Sequence, residues 1–96
     1  MWVLRSDDPT QRTWTFRVRH GSVKTVGRTA RADFILDAAL VSRLHCRLEA
    51  APDGLHVIDL SSTNGTWVNG KRIGQARLIA GDRLRVGRVE LNVSYE

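Results

Sequence analysis

The chain has 96 residues, a length that predicts one domain filling the chain. With 42% hydrophobic and 26% charged residues the composition is ordinary for a globular domain, and no apolar run is long enough to span a bilayer. The formal net charge is +5 and thirteen of the fifteen basic residues are arginines, which favours an anionic partner such as nucleic acid, an acidic or phosphorylated peptide, or a membrane surface.

Short runs rich in Val, Ile, Leu, Trp and Phe follow one another along the chain, alternating with polar residues and separated by turn sequences. They predict strands at residues 2–5, 13–19, 23–27, 34–36, 45–50, 55–59, 66–68, 84–86 and 89–94. Asn69-Gly70, between residues 66–68 and 71–73, is the strongest hairpin signal. No segment predicts a helix beyond a single turn at 37–41. The pattern therefore predicts an all-β fold, either a sandwich or a barrel.

Several large side chains in these strands are interpreted as structural. Period-two alternation places four arginines on the solvated faces of half-buried strands: Arg17, Arg19, Arg83 and Arg85. Three tryptophans follow strand patterns and are expected to pack in the core or at sheet edges: Trp2, Trp14 and Trp67. A platform that stacks nucleic-acid bases needs more exposed aromatic residues than this chain offers.

Three segments are not generic turns. Gly27-Arg28 ends an apolar strand, and the segment Val41-Ser42-Arg43-Leu44-His45-Cys46 opens another. The third segment, residues 59–70, reads Asp-Leu-Ser-Ser-Thr-Asn-Gly-Thr-Trp-Val-Asn-Gly. The three in this order resemble the forkhead-associated (FHA) family, whose hallmarks are a GR, an S-R-x-H and an S/T-x-N-G-T-x-V-N-G-like segment. The resemblance runs over essentially the whole chain and implies a small antiparallel β-sandwich with its ligand site in loops at one end.

A phosphothreonine ligand suits the residue types in these segments. It brings nearly two negative charges and three strong acceptor oxygens. Holding it requires a guanidinium, hydroxyl donors and backbone N–H groups that lie outside the sheet ladders. Loops at the ends of strands provide such groups on a rigid base, and the candidates are Arg28, Ser42, Thr63 and the turn at Asn64-Gly65.

The resemblance also implies individual roles. By similarity, Arg28 and Ser42 contact the phosphate, the Thr63 region adds hydroxyl or backbone donors, and Asn64 binds the peptide backbone. Arg43 matches a position that contacts the peptide main chain or the phosphate.

Three further residues are expected to support the site. The resemblance implies that His45 is hydrogen-bonded beneath the loops and holds their shape. Gly27 and Gly65 allow backbone conformations or close approaches that a side chain would obstruct. One departure from the family pattern is Leu44, where a basic residue is common, and its alternation with Cys46 predicts a place in the core.

No metal, cofactor or disulfide is predicted. The histidines His20, His45 and His56 are scattered and no CxxC spacing occurs, so a zinc site has no support. Cys46 is the only cysteine and cannot form an internal disulfide, which favours a reducing intracellular setting and a buried thiol.

Ser42, His45 and Asp59 invite comparison with a hydrolase triad. If residues 42–45 lie on a strand, Ser42 and His45 point to opposite faces, and no G-x-S-x-G elbow is present. We therefore predict a binding module with no catalytic residues.

The predicted partner is a phosphothreonine-containing, acidic and disordered protein segment, bound by a monomeric module without membrane contact. Two alternatives remain open: a basic nucleic-acid-binding domain, and a scaffold that dimerises through a sheet edge. The residues at the two termini resemble the N-terminal module of nibrin-like DNA-repair proteins, which would imply a nuclear damage response. A bacterial protein in Ser/Thr kinase signalling is the alternative parent.

Overall fold

The computed structural model describes residues 1–8, 10 and 12–96, and these form two β-sheets. In chain order the strands are β1 (Trp2–Arg5), β2 (Thr15–Val18), β3 (Val23–Gly27), β4 (Phe34–Ile35), β5 (Cys46–Ala51), β6 (Gly54–Asp59), β7 (Thr66–Val68), β8 (Lys71–Ile73), β9 (Gln75–Leu78), β10 (Arg83–Val86) and β11 (Val89–Tyr95). Over these residues no helix is long and apolar enough to cross a membrane.

One sheet has six strands in the order β2-β1-β11-β10-β7-β8, and the other has five in the order β4-β3-β5-β6-β9. Every pairing is antiparallel except the short parallel pairing of β3 with β4. The all-β sandwich predicted from the sequence is confirmed, with that one parallel pair as an addition.

The core lies between the sheets because apolar side chains alternate along the strands. In β5 the residues Cys46, Leu48 and Ala50 are buried while those between them are half-exposed. Burial of this face removes apolar surface from water, which stabilises the fold by about 25 cal/mol per Å². The Cys46 thiol is fully enclosed, as predicted, and burial raises its pKa to about 12.

The hairpin predicted at Asn69-Gly70 is present. Val68 pairs with Lys71, so Asn69 and Gly70 form the whole loop between β7 and β8. Their φ angles are 50° and 82°, the left-handed pair that a type I′ turn requires.

Some strand boundaries differ from the predicted ones. Strand β2 begins at Thr15 rather than at residue 13, and β5 begins after His45. Residues 75–78, which the sequence pattern did not predict as a strand, form β9 and pair with β6. This segment reads Gln-Ala-Arg-Leu and contains no β-branched residue, so it carries little local strand signal.

Two side chains depart from their expected places. Leu44 is half-buried rather than part of the core, because the chain bends at this point instead of running as a strand. Arg17, Arg19 and Arg83 are exposed as predicted, but Arg85 is half-buried and its Nε atom is shielded from solvent.

Candidate functional site

The three segments singled out in the sequence meet at one end of the sandwich. Strand β5 lies between β3 and β6. Because the pairings are antiparallel, the last residues of β3, the first of β5 and the last of β6 lie at the same end of the sheet. A cavity of about 310 Å³ opens there, lined by Arg28, Ala39, Leu40, Val41, Ser42, Thr63 and Asn64. Four of the predicted ligand residues therefore share one concavity, whereas Arg43 is exposed and does not line it.

Arg28 is fixed to the loop that precedes β5. Its backbone N–H donates to the Ser42 carbonyl at 2.9 Å, and its side-chain Nε donates to the Val41 carbonyl at 3.0 Å. The terminal nitrogens make no hydrogen bond to any described residue, and the side chain is exposed. The guanidinium is thus anchored through Nε, and its terminal fork has no partner among the described residues in a side chain that lines the cavity.

Ser42 joins this loop to the segment after β6. Its Oγ accepts a hydrogen bond from the Thr63 backbone N–H at 3.2 Å. Because the oxygen serves as acceptor there, its own hydrogen remains available for donation to a ligand. The hydroxyl of Ser42 therefore has one bond inside the protein and one to offer.

His45 is fully buried beneath the loops, and both of its ring nitrogens bind backbone groups. Nδ1 accepts from the Ser42 N–H at 3.0 Å, so the ring proton resides on Nε2, which donates to the Gly65 carbonyl at 2.8 Å. Burial lowers the pKa of His45, although the Gly65 bond and the charge of Asp59 oppose the shift. The neutral ring connects the loop before β5 to the loop after β6.

Ser42 and His45 do not form a catalytic pair, but the reason differs from the one predicted. Ser42 and His45 do not lie on a strand and do not point to opposite faces; they are hydrogen-bonded through the Ser42 backbone. However, both nitrogens of His45 are engaged by backbone groups, so neither is directed at the Ser42 hydroxyl. A nucleophile needs its base at hydrogen-bonding distance, and this arrangement does not provide one.

Two glycines permit close packing around the loops. A Cβ added to Gly27 would lie 2.0 Å from the Arg43 carbonyl oxygen, a distance that no side chain can occupy. Gly65 has a φ of 89°, and a Cβ there would lie 2.8 Å from Nε of Arg72 and 3.0 Å from Nε1 of Trp67. Gly27 requires glycine because the close atoms belong to the backbone, and Gly65 requires it because its positive φ strains a residue with a Cβ.

The cavity has a wall that the sequence analysis did not identify. Leu40 lines it with a φ of 68°, in the left-handed region that costs a non-glycine residue about 1–2 kcal/mol. Its carbonyl accepts from Asn64 Nδ2 at 3.2 Å, and a Cβ on Gly87 would lie 2.7 Å from the same oxygen. Gly87, in the turn between β10 and β11, is the only sequence feature connected with this wall. Its packing against Leu40 is a long-range contact, which the sequence pattern does not reveal.

Asp59 organises the segment that carries Thr63 and Asn64. Its Oδ1 accepts from the hydroxyls of Ser62 at 2.5 Å and Thr66 at 2.7 Å, and its Oδ2 accepts from the Ser62 N–H. Burial by itself would raise the pKa of Asp59, but these hydrogen bonds outweigh it and the pKa is lowered. Asp59 was predicted only as a possible triad member, whereas its observed contacts hold the loop after β6 in shape.

Residues 1–8, 10 and 12–96 contain no cluster of three or more His, Cys, Asp or Glu side chains able to hold a metal ion. The polar groups at the cavity are donors rather than acidic oxygens, with one guanidinium, two hydroxyls and an amide among the lining residues. Such a set fits an anion and not a cation.

Comparisons with known proteins agree with this geometry. Residues 24–87 match the family model of the FHA domain. The chain is 37% identical over 91 residues to the FHA domain-containing protein FhaA of Mycobacterium tuberculosis, covering 95% of this chain and 17% of FhaA. It is 33% identical over 70 residues to the glycogen accumulation regulator GarA of the same species, covering 73% of this chain and 43% of GarA. The chain therefore spans less than half the length of either relative.

Solved structures give the same result at the level of the fold. The FhaA FHA domain complexed with the intracellular domain of another protein has a TM-score of 0.84 and 34% identity, with 97% of this chain and 99% of that chain covered. A domain from a study of phosphothreonine-dependent FHA interactions has a TM-score of 0.83 and 34% identity, covering 99% and 96% of the two chains. These mycobacterial relatives give no support to the nibrin-like parent, the DNA-damage role or the nuclear location that the terminal residues suggested.

Proposed function

The chain belongs to the FHA-domain family, and we propose that it is a phosphothreonine-dependent peptide-binding module that mediates protein–protein interaction in phosphorylation signalling. The observation that carries the proposal is the shared cavity of Arg28, Ser42, Thr63 and Asn64. These residues come from three separate segments and meet with open donors facing one space. A dianion with three acceptor oxygens is the ligand that such donors fit best.

In this proposal the phosphate lies against Arg28 and Ser42. The guanidinium has its Nε bound to Val41, so its terminal nitrogens are pre-oriented to pair with two phosphate oxygens. The Ser42 hydroxyl donates its remaining hydrogen to a phosphate oxygen. Thr63 adds its exposed hydroxyl from the other side of the cavity.

Asn64 and Arg43 would hold the peptide beside the phosphate. Asn64 Nδ2 binds the Leu40 carbonyl at 3.2 Å, and its amide oxygen accepts no hydrogen bond from a described residue. An amide provides both a donor and an acceptor, the pair needed to bind one peptide unit. Arg43 is exposed and follows Ser42 in the chain, and in this proposal it contacts the peptide main chain or the phosphate.

His45, Gly27 and Gly65 act as supports in this mechanism. The ring of His45 joins the Ser42 and Gly65 backbones, and the glycines allow the loops to approach each other. We propose that this framework holds the donors in place before the ligand arrives, which reduces the ordering cost of binding.

The apolar part of the cavity wall, formed by Ala39, Leu40 and Val41, offers a surface for the γ-methyl of phosphothreonine. A single buried methyl is worth about 1–3 kcal/mol, enough to favour phosphothreonine over phosphoserine by about tenfold. A glutamate has one charge and two oxygens and is expected to bind poorly.

We further propose that the chain is one FHA domain of a larger bacterial protein that acts inside the cell and binds a disordered, phosphorylated partner segment as a monomer. Support comes from the relatives, which are longer bacterial proteins, and from the single free cysteine. In this view the domain binds and does not catalyse.

Fluorescence polarisation with one peptide in four forms tests the function. The forms carry threonine, phosphothreonine, phosphoserine or glutamate at one position, and we expect micromolar binding for phosphothreonine, about tenfold weaker binding for phosphoserine and none for the others. Equal binding of all four forms would exclude the proposal. A steep salt dependence with duplex or single-stranded DNA, unaffected by loss of Arg28, would support the nucleic-acid alternative instead.

A further inference from the structure

A row of four side chains crosses the outer face of the six-stranded sheet beside the cavity. Glu90 of β11 is paired with Arg85 of β10, Arg85 with Trp67 of β7, and Trp67 with Arg72 of β8. Residues directly opposite each other on neighbouring antiparallel strands present their side chains on one face. The row therefore brings two guanidinium groups to the same indole.

The guanidinium of Arg85 is turned toward Trp67 and not toward Glu90. Its Cζ lies 4.4 Å from the Trp67 ring centroid, whereas Glu90 pairs with Arg83 at 3.7 Å. The Cζ of Arg72 lies 6.0 Å from the same ring. A tryptophan face attracts cations, which accounts for both arginines collecting there.

The two charges are not neutralised within the described part of the chain. The ion pairs found there involve Arg5, Arg47, His56 and Arg83, and neither Arg72 nor Arg85 has a carboxylate within 4.0 Å. The buried Nε of Arg85 also has no hydrogen-bond partner in the described part of the chain. Both guanidinium groups keep a positive charge beside the same indole, so an external anion at the surface of the row would be attracted to both.

The row adjoins the loop that lines the cavity. Nε1 of Trp67 donates to the Asn64 carbonyl at 3.3 Å, and a Cβ on Gly65 would lie 2.8 Å from Nε of Arg72. Asn64 itself lines the cavity. A peptide whose phosphothreonine occupies the cavity would place a residue a few positions away over the row, because an extended chain advances about 3.3 Å per residue.

We propose that Arg72 and Arg85, held on Trp67, form a second anion subsite that binds a carboxylate or phosphate on another side chain of the same phosphothreonine peptide. This inference rests on the proposed function and deepens it, because it defines the preferred ligand as an acidic or doubly phosphorylated segment. Arg72 is exposed and supplies the accessible fork, while Arg85 supplies a second charge close to the ring.

A positional scan tests the subsite. Phosphothreonine peptides with asparagine at the flanking positions are compared with peptides carrying one aspartate at each position in turn. We expect aspartate to improve the affinity of the wild-type protein by about three- to tenfold at one or two neighbouring positions, as partly exposed charge-assisted contacts do. A second series with phosphoserine at each position in turn separates a phosphate preference from a carboxylate preference.

The variants R72Q and R72Q/R85Q should lose this preference while keeping their affinity for the all-asparagine phosphothreonine peptide. R17Q is the matched control, since Arg17 is an exposed arginine on β2 at the far edge of the same sheet. Because Arg85 is half-buried, the exposed single change R72E provides a second test, and it should reverse the preference toward lysine. Thermal unfolding of each variant checks that it is folded.

The outcomes separate the two proposals. If no position prefers aspartate or phosphoserine, or if the preference persists in R72Q and R72E, the subsite is excluded while phosphothreonine binding stands. If the all-asparagine phosphothreonine peptide binds no better than its unphosphorylated form, the proposed function and the subsite both fall.

Discussion

The Oγ of Ser42 accepts a hydrogen bond from the backbone N–H of Thr63 at 3.2 Å. The bond joins the loop before β5 to the loop after β6 through protein groups alone, so it fixes the position of one loop relative to the other. Preorganised sites avoid the cost of ordering loops when a ligand binds.

Replacing Ser42 by alanine should weaken phosphothreonine-peptide binding by more than tenfold. The change removes one donor to the phosphate and also leaves the Thr63 N–H without its acceptor, which costs about 1 kcal/mol of stability. Fluorescence polarisation gives the first effect and urea unfolding the second. Ser22→Ala is the control, because Ser22 lies at the opposite end of the sandwich; equal losses in the two variants would contradict the role of Ser42.

Arg28→Ala should abolish measurable binding. Loss of the partner of a desolvated charge costs about 2–5 kcal/mol, and a loss at the upper end of this range moves a micromolar Kd into the millimolar range, where the titration detects no binding. Arg28→Lys should recover only part of the affinity, since an ammonium cannot both hold the Val41 carbonyl and present a planar fork. Titration of the phosphothreonine peptide into each variant measures the effect. Arg19→Ala, at an exposed site, should bind as the wild type does, and an unchanged affinity for Arg28→Ala would refute the assignment.

The stability of the domain should fall as the pH drops below about 6.5. His45 is neutral in the fold and has a lowered pKa, whereas in the unfolded chain it titrates near 6.5. The unfolded state therefore binds a proton more readily, so the free energy of unfolding is highest above pH 6.5 and decreases as the pH falls from there toward the folded-state pKa. Protonated Nδ1 would also face the Ser42 N–H as a second donor.

Urea unfolding between pH 8 and pH 5 measures this dependence. The pH dependence in this range should disappear in His45→Gln and persist in His20→Gln, because His20 is exposed. Asp59 contributes in a separate window: its pKa is lowered from 3.8, so its stabilising effect is present above that pH and is lost in stronger acid. A flat profile from pH 8 to pH 5 in the wild type would disprove the assignment to His45.

Much of the scaffold follows from local patterns in the sequence. Asn69-Gly70 specifies its turn because both residues tolerate positive φ, and strands such as β5 show their buried face through strict alternation. Strand β9 was missed because Gln75–Leu78 owes its conformation to pairing with β6, which is a long-range contact. Local propensity carries no information about such a partner.

The candidate site was predicted as a set of residues but not as a geometry. Arg28, Ser42, Thr63 and Asn64 were identified from motifs, and all four line the cavity. The bend at residues 42–45, which brings the His45 ring to the Ser42 backbone, was taken for a strand. Leu40 was missed because its place in the wall depends on Gly87, a residue 47 positions away along the printed sequence.

Cys46 should not react with thiol reagents in the folded protein. It has no solvent exposure, and burial raises its pKa to about 12, so almost no thiolate is present at neutral pH. Ellman's reagent should label the chain only at the rate of unfolding, and stoichiometrically in urea. Rapid labelling of the native protein would show that this end of β5 opens without global unfolding.

Gly27→Ala should destabilise the domain by at least about 2 kcal/mol, whereas Gly74→Ala should change stability by no more than about 1 kcal/mol. The added methyl at Gly27 would lie 2.0 Å from the Arg43 carbonyl oxygen, a backbone atom that moves only if the loop carrying Ser42 moves with it. At Gly74 no atom lies within 4 Å of the corresponding position, so the same substitution tests the loss of backbone freedom alone. Urea unfolding gives both values, and peptide titration of any folded Gly27→Ala protein should show weakened binding because Arg28 and Ser42 are displaced. Equal stability of the two variants would mean that the loop before β5 is not fixed against β3. That result would contradict the proposal that the cavity is preorganised.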